Sequence, residues 1–523
     1  MASVSPGMAA QGEQPPGDAG PPAEGTSEQA PKTAWSVRSL IVSGFAWSVG
    51  TGVAVQLSRI VFAVALARLL TPREYGLATM ALVVSALVST LTDLSLGVGL
   101  VQRSTITEED RSTVFWTNGA IGAGLSAASL ALAGPIALFY GEPEVRPLFA
   151  ALSLSFLIGS LGATHAALLH REMDFRAISI RVGASTIVGG IVGVVVAAAG
   201  WGAWALIVQQ LSVAAISSVL LWTAVPWRPR LLYSIASLRD LGSFGGVVFG
   251  VRVSDYARMN GERLLVGRFL GSIPLGAYSV AFNILLSPVG RFLIAVMDTL
   301  FPVLSRLQDD PARLAAVWVR VNRLFAAAFV PALIGLAVVA PDFVVVVLGD
   351  KWIAVTPLLQ ILAVGVIAQV VSALGADVLK AVGRAGTLLR FSTVEAILFL
   401  GGTVVGLWWG IAGVAAAYAI VNVLTRTYFL WLAADSVGLP FRAFLQSLSG
   451  VSQASLALLA ATIPARLFLL ETAAPPWLRL ALVVTLGVLV YVPVCLWRVP
   501  ELRVEIDRLR RDAVGWRNAI TLA

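Results

Sequence analysis

The sequence has 523 residues, of which 58% are hydrophobic and only 13% are charged, and its formal net charge is +8. Soluble globular proteins carry about 25% charged residues, and the mean hydropathy here is +0.85. A water-soluble protein with a single core is therefore excluded, and the composition predicts an integral membrane protein. One cysteine excludes an intramolecular disulfide, and the two histidines, His165 and His170, are too few for a metal site. We expect packed or loop-facing histidines and no metal.

The chain begins with a polar segment, residues 1–34, that is rich in Pro, Gly, Ala, Glu and Gln. It lacks the positive and apolar regions of a secretory signal peptide. Because it cannot bury enough apolar surface to offset its ordering entropy, it is expected to be a disordered cytoplasmic tail.

Apolar stretches long enough to cross about 30 Å of hydrocarbon as helices follow one another from residue 40 onward. We predict about fourteen transmembrane helices, at residues 40–67, 76–101, 113–140, 148–169, 178–199, 203–224, 241–263, 276–300, 322–347, 357–379, 387–407, 410–433, 446–469 and 477–497. Tight hairpins are expected at Gly200-Trp201-Gly202 and at Trp409-Gly410. The last segment, residues 499–523, alternates charged and apolar residues, so it forms either a cytoplasmic amphipathic helix on the inner leaflet or a charged tail.

The distribution of positive charge sets the expected orientation. With the N-terminus inside, most of the 37 lysines and arginines fall in cytoplasmic segments, while Arg68, Arg73, Arg263 and Arg268 are among the few outside. This bias follows the positive-inside rule, so both termini are expected in the cytoplasm. Topology also accounts for the pI of about 10.0, and no nucleic-acid partner is expected.

A short segment occurs twice, 200 residues apart. Arg68 is followed by Gly76, and Arg268 by Gly276, each beside a long apolar run. The two copies are six predicted helices apart, so the halves share one orientation and are related by an axis along the membrane normal. We therefore predict an all-α polytopic fold with two six-helix lobes, residues 35–225 and 226–435, plus two extra helices in residues 436–498.

Two motifs carry a family resemblance. The run Ser58-Arg-Ile-Val-Phe-Ala-Val-Ala-Leu-Ala-Arg-Leu-Leu-Thr-Pro-Arg-Glu-Tyr-Gly-Leu-Ala, with Leu91-Thr-Asp-Leu-Ser-Leu-Gly, resembles the opening of Wzx-type polysaccharide flippases of the MOP exporter superfamily. The run Asn260-Gly-Glu-Arg-Leu-Leu-Val-Gly-Arg resembles that family's seventh-helix motif. Where the family often has an aspartate, this chain has Glu262 and Arg263, which puts a strict role for aspartate in doubt.

The resemblance implies a MOP/MATE-like fold and a function. The protein would move an undecaprenyl-diphosphate-linked oligosaccharide across the bacterial inner membrane, by alternating access, for capsule, exopolysaccharide or O-antigen synthesis. Its partners would be this substrate, membrane lipid and other polysaccharide-assembly proteins. It would not be an enzyme and would need no cofactor, with coupling to H+ or Na+ left open.

Charged residues inside the predicted helices are the candidate site, because each is costly in the membrane unless it faces water or a partner. Four arginines are predicted to bind the diphosphate, since guanidinium groups hold phosphate oxygens bidentately: Arg59, Arg252, Arg258 and Arg291. Four carboxylates are candidates for ion coupling or for pairing: Asp255, Glu262, Asp298 and Asp93. The alternative is that these charges form buried salt bridges that only hold helices together.

Two other functions are considered. A MATE-like ion-coupled exporter of small molecules would share the fold, but such exporters favour cationic cargo, which the arginine-rich seventh helix would repel. A membrane glycosyltransferase or polymerase would need catalytic loops outside the membrane. The outside segments are short, and the pair Glu142 and Glu144 beside Pro143 is not favoured as a catalytic site.

Overall fold

The fold is known from a computed structural model. It describes residues 54–92, 96–103, 105–242, 260–472 and 474–503, together with Gly52 and Tyr256. Within these ranges every regular element is a helix. The helices are α1 (54–69), α2 (Pro72–Thr92), α3 (Leu96–Gln102), α4 (Glu108–Tyr140), α5 (Val145–Leu152), α6 (Leu154–Arg171), α7 (Phe175–Ala198), α8 (Trp204–Ala224), α9 (Ile235–Gly242), α10 (260–270), α11 (Ser272–Arg306), α12 (Pro311–Phe343), α13 (Val355–Ser372), α14 (Gly375–Ala381), α15 (Ala385–Gly406), α16 (Gly410–Ser436), α17 (Phe441–Ser447), α18 (Ser449–Glu471) and α19 (Pro476–Arg498). A π-helical turn, Val344–Leu348, and a 3-10 turn, Asp350–Trp352, follow α12.

Long apolar helices confirm the all-α polytopic fold. In the described ranges, 10 helical segments are long and apolar enough to cross a membrane. One of them, Ala385–Ser436, contains the eleventh and twelfth predicted helices, divided by a 3-10 turn at Leu407–Trp409. The predicted total of about fourteen and the lobe boundaries at 225 and 435 remain predictions.

Local sequence signals explain where individual helices begin and end. Thr107 and Asp110 form a capping box at the start of α4, in which each side chain accepts a hydrogen bond from the other residue's backbone N–H. The α7–α8 hairpin turns at Gly200 and Gly202, which adopt φ of 81° and 54°. These left-handed conformations favour glycine, and they confirm the tight hairpin expected there.

The two copies of the repeated segment are in direct contact. Helices α2 and α11 cross where Gly76 approaches Ser272 and Gly276 approaches Pro72, so closely that a Cβ on either glycine would overlap the opposing carbonyl oxygen. Residues 72 and 76 therefore meet residues 272 and 276 reciprocally. A two-fold relation between the copies produces this kind of pairing. Around the crossing, α2, α11, α12 and α13 contribute to one extended apolar core.

The last helical hairpin, α18–α19, is attached to α12. The buried Asp342 carboxylate accepts hydrogen bonds from Arg466 at 3.0 Å and from Arg479 at 2.8 Å. Near the other end of the hairpin, the Tyr491 hydroxyl donates to the backbone oxygen of Ala327 at 2.7 Å. These bonds and the apolar contacts of Leu458 hold the hairpin against α12.

Candidate functional site

A central cavity of about 710 Å³ lies between α2, α4, α6, α8, α10 and α11. Amide and hydroxyl side chains line much of it, among them Asn118, Gln210, Asn260 and Asn283. Along α2 the lining runs from Tyr75 to Ser89, roughly 21 Å of helix at ~1.5 Å per residue. Its volume lies in the range of small-molecule binding sites, roughly 300–1,000 Å³.

Arg263 carries the positive charge in this cavity lining. Its Nη1 donates to Asn260 Oδ1 at 3.4 Å, and its guanidinium lies over the Phe282 ring at 4.9 Å. Its Nε is buried without a hydrogen-bond partner, and no carboxylate among the described residues forms a salt bridge with it. A guanidinium in this state has donors available for an anion.

The position of Arg263 corrects one sequence-based expectation. The charge distribution placed this residue in an outside segment, at the end of a predicted helix 241–263. In the structure α10 continues to residue 270, and the side chain of Arg263 is half-buried. The apolar run Leu264-Leu265-Val266, which ends only at Gly271, was the available signal that the helix extends further.

Arg59, one of the predicted substrate-binding residues, lies in α1 and is half-buried. Its Nη2 donates to Thr186 Oγ1 at 3.4 Å. It lines a separate cavity of about 280 Å³, which shares Tyr75 and Asn283 with the central cavity. Arg59 and Arg263 therefore line two cavities that have Tyr75 and Asn283 in common. Asn283 Nδ2 lies 3.4 Å from the Tyr75 hydroxyl oxygen.

Glu262, a predicted coupling residue, is buried with 1% exposure. It lines a third cavity of about 340 Å³ together with Gln369, Glu395, Tyr418 and Asn422. Arg263 lines this cavity as well as the central one. The two neighbouring residues therefore lie where the two cavities meet.

The remaining predicted site residues are not tested by the structure. Asp93, Arg252, Asp255 and Arg258 lie outside the described residues. Arg291 and Asp298 belong to α11, but their side chains are also outside the described part. A cationic site built from these arginines remains a prediction.

His165 is a packed histidine. It is fully buried, and its ring stacks on Trp222 with 4.7 Å between ring centroids, beside Phe115 and Trp227. This arrangement confirms the expected packing role for that residue.

Polar contacts close the molecule at the end that the charge bias assigns to the outside. Arg68 donates to the backbone oxygens of Val346 and Val347, the latter at 2.8 Å from Nε. Trp352 Nε1 donates to the backbone oxygen of Ala67 at 2.6 Å. Lys351 Nζ donates to the backbone oxygen of Arg68 at 2.7 Å. The end of α1 is thereby joined to the turn that follows α12.

Glu142 extends this closure. It accepts a hydrogen bond from Ser272 Oγ at 2.7 Å and forms a salt bridge with Arg73 at 3.3 Å. Arg73 also pairs with Glu144 at 3.1 Å. Glu142 and Glu144 therefore act as ion-pair partners at this end, and the contact between Glu142 and Ser272 joins the loop after α4 to the start of α11.

Two solved structures share the fold of this polytopic membrane protein. The chain is similar to the lipid II flippase MurJ in an inward closed conformation, with a TM-score of 0.70 and 15% identity over 88% of this chain and 99% of that one. It is also similar to an inward-facing multidrug resistance MATE family transporter of the MOP superfamily, with a TM-score of 0.56 and 13% identity over 75% of this chain and 96% of that one.

The family follows from the sequence comparison. Residues 65–357 match the model of the family described as polysaccharide biosynthesis protein, and the chain belongs to this family. It is 29% identical over 421 residues, covering 79% of this chain and 85% of the relative, to the lipopolysaccharide biosynthesis protein WzxC of Escherichia coli (strain K12). The family resemblance seen in the two sequence motifs is thus confirmed, and the protein is a multi-pass membrane protein of polysaccharide biosynthesis.

Proposed function

We propose that this protein is a flippase that moves an undecaprenyl-diphosphate-linked oligosaccharide from the cytoplasmic to the periplasmic leaflet of the bacterial inner membrane. The glycan would then be used for capsule, exopolysaccharide or O-antigen synthesis. The observation that carries the proposal is the Arg263 guanidinium, half-buried in a cavity of about 710 Å³ and without a carboxylate partner in the described part of the chain.

The chemistry of the cavity fits the headgroup of such a substrate. A diphosphate carries two negative charges, and arginine binds phosphate oxygens through several N–H donors while keeping its charge. The amides of Asn118, Gln210 and Asn283 can donate to and accept from sugar hydroxyls. Arg59 and the predicted residues Arg252, Arg258 and Arg291 would add positive charge near the same headgroup.

The helix contacts at the predicted outer end support a mechanism of alternating access. In this structure the crossing at Gly76 and Gly276 lies at the predicted outer end, and the cavity extends along α2 from Tyr75 away from that end. The cavity would load from the cytoplasmic side. Release to the periplasm would then require the contacts of Arg68, Glu142 and the two glycines to separate.

The test uses a host strain from which the gene is deleted and which is complemented with variants. Arg263→Ala should lower export more than about tenfold, because a lost charge-assisted contact to phosphate costs about 1.5–3 kcal/mol. Export is measured as the fraction of lipid-linked oligosaccharide that a lectin added to spheroplasts can bind. Arg263→Lys should retain part of the activity, since it keeps the charge without the bidentate geometry.

Arg268→Ala is the matched control. Arg268 lies on the same helix but is exposed and packs over the rings of Phe139 and Phe269, so this variant should export normally. Normal export by Arg263→Ala would contradict the proposed site. If deletion causes no accumulation of lipid-linked glycan and instead makes the host sensitive to cationic drugs, the protein is a MATE-like exporter.

A further inference from the structure

Two arginines share one buried carboxylate where the last helical hairpin meets α12. Asp342 accepts a hydrogen bond from Arg466 Nε at 3.0 Å and another from Arg479 Nε at 2.8 Å. In the described part of the chain, no second carboxylate forms a salt bridge with either arginine. The cluster therefore has one positive charge in excess. Such a charge is costly beside hydrocarbon unless water or an anion compensates it.

The two arginines of this cluster differ in the donors that they leave free. All three side-chain nitrogens of Arg479 are engaged, because Nε and Nη2 contact Asp342 and Nη1 donates to the backbone oxygen of Ala474 at 2.9 Å. Arg466 is bonded through Nε alone, and neither of its Nη atoms has a hydrogen-bond partner among the described residues. Arg466 therefore carries the donors that an anion can use.

Arg466 lies near one end of a groove of about 400 Å³ between α12, α13 and α18. The lining is apolar except for Arg466 and Gln360. Along α18 it continues from Arg466 back to Leu459, roughly 10 Å at 1.5 Å per residue. The groove is open at the surface of the helices, since its lining residues Val364 and Leu467 are 52% and 55% exposed. A charged end followed by an apolar length matches the shape of an amphiphile.

The other polar side chain of the groove, Gln360, has a structural role. Its Nε2 donates to the backbone oxygen of Ala337 at 3.1 Å. Four residues further along α12 stands Pro341, which has no N–H to give to that oxygen. The amide of Gln360 replaces the missing donor. Of the two polar side chains in the groove, Arg466 is thus the one with its charge and donors available to a ligand.

The depth of Arg466 along its helix suits a lipid headgroup. It lies five residues before the end of α18 at Glu471, about 8 Å of helix. Asp342 is next to the last residue of α12. These helix ends are on the side that the charge bias assigns to the outside, and Trp477, at the start of α19, is 61% exposed there. Exposed tryptophans are typical of the membrane–water interface, so a phosphate at Arg466 would lie just below the headgroup level.

We propose that this groove binds an anionic glycerophospholipid, with its phosphate on the Nη donors of Arg466 and one acyl chain between α13 and α18. A single phosphate compensates the excess charge of the cluster, and basic sites between transmembrane helices recognise lipid headgroups in this way. A second copy of the chain fits less well, because it would bury the charge of Arg466 without an anion. The groove shares no lining residue with the central cavity or with the cavity of Arg59, so the inference is independent of the proposed function.

The test measures lipid binding to the full-length protein in mild detergent by native mass spectrometry. The probe is dioleoyl phosphatidylglycerol, and the reference is the zwitterionic dioleoyl phosphatidylcholine. The wild type should bind one phosphatidylglycerol more tightly than any further copy and about tenfold more tightly than phosphatidylcholine. Arg466→Ala should lower this affinity about tenfold, the effect of losing a charge-assisted contact, and Arg466→Lys should retain part of it. In Arg466→Ala the bond from Arg479 to Asp342 still attaches the hairpin.

A second variant fills the groove and leaves the charges in place. Val364→Trp should weaken phosphatidylglycerol binding, because the indole occupies the space of the acyl chain. Val404→Trp is its control, since Val404 is also about half exposed, at 49%, but lies on α15 outside the groove. Arg146→Ala is the control for the charge, because Arg146 is an exposed arginine at the start of α5. Both controls should bind phosphatidylglycerol like the wild type.

Asp342→Asn distinguishes a lipid site from a purely structural cluster. Removing the carboxylate raises the excess positive charge, so this variant should bind phosphatidylglycerol more tightly than the wild type does, whereas a structural cluster predicts no gain. The lipid should also slow thermal inactivation of the wild type but not of Arg466→Ala, since a ligand stabilises the folded state that binds it.

Three results would overturn the lipid site. They are equal wild-type affinities for the two phospholipids, binding that is unchanged in both Arg466→Ala and Val364→Trp, and a preference at Arg466 for added undecaprenyl phosphate over phosphatidylglycerol. The last result would assign the groove to the carrier lipid. Should Arg466→Ala fail to fold, the wild-type selectivity and the comparison of Val364→Trp with Val404→Trp decide the question.

Discussion

The predicted outer end and the central cavity use polar groups in opposite ways. At the outer end, Arg68, Glu142 and Trp352 are each bonded to a group far away in the chain, over distances of 2.6 to 2.8 Å. In the cavity, the buried Nε of Arg263 has no hydrogen-bond partner among the described residues, and the bond from its Nη1 to Asn260 is 3.4 Å long. Satisfied polar groups stabilise one conformation, whereas available donors bind a ligand. The contacts at the predicted outer end therefore join its helices to one another, whereas Arg263 offers donors to the proposed substrate.

The two copies of the repeated segment show the same division of roles. Their glycines have the same role, because Gly76 and Gly276 both allow the close crossing of α2 and α11. Their arginines differ, because Arg68 joins α1 to the turn after α12 while Arg268 is exposed over two aromatic rings. The two segments thus share a backbone contact at the helix crossing, while their flanking arginines have different partners.

The largest effect is expected from locking the outer end. In a Cys495→Ala background, Glu142→Cys and Ser272→Cys are joined by a short, reducible thiol cross-linker. These residues are in contact here, with 2.7 Å between Ser272 Oγ and Glu142 Oε1. If the end must open for release, the cross-link should abolish export, and reductant should restore it. The measurement is lectin binding to exported glycan before and after reduction.

A second pair of residues serves as the control for the cross-linking reaction. Arg73 and Glu144 also form a contact at this end, at 3.1 Å, but both precede α5 and lie in the first predicted lobe. Cross-linking cysteines at these two positions should leave export unchanged. Undiminished export by the protein locked between residues 142 and 272 would show that this contact does not separate during transport.

The sequence predicts local features of the predicted outer end and of the cavity, but it does not predict contacts between residues that are far apart in the chain. The repeat of Gly76 and Gly276 was visible as a spacing, and the structure brings both glycines to one close helix crossing, where small residues are required. The cavity arginine at 263 was placed at the outer end of a predicted helix, since a charge that follows a long apolar run resembles a helix end. The apolar run after Arg263 signals a longer helix, whereas the place of Arg263 at two cavities depends on tertiary packing. The bonds of Glu142 to Ser272 also could not be foreseen, because they join residues 130 positions apart.

A smaller effect is expected from filling the crossing of α2 and α11. In Gly276→Ala, the new methyl group would overlap the carbonyl oxygen of Pro72. Forcing the helices apart should destabilise the closed form by about 1–3 kcal/mol, as overpacking of close contacts generally does. We expect faster thermal inactivation of the purified protein and greater thiol-reagent labelling of Ser272→Cys at the outer end.

Gly290→Ala is the control for this substitution, since it lies on the same helix and a Cβ there meets open space. It should inactivate no faster than the wild type. Equal inactivation rates and equal labelling for the two alanine variants would mean that the close approach at Gly276 does not maintain the closure.

The smallest effect is expected for Arg73→Ala. The Arg73 side chain is 47% exposed, and its partner Glu144 is 56% exposed, so water screens their attraction. Exposed pairs contribute about 0–1 kcal/mol. Thermal inactivation and export should therefore stay close to wild-type values, even though Arg73 contacts both carboxylates. A loss as large as that of Gly276→Ala would imply that Arg73 holds Glu142 in position for Ser272, and the closure would then depend on the ion pairs as much as on the helix crossing.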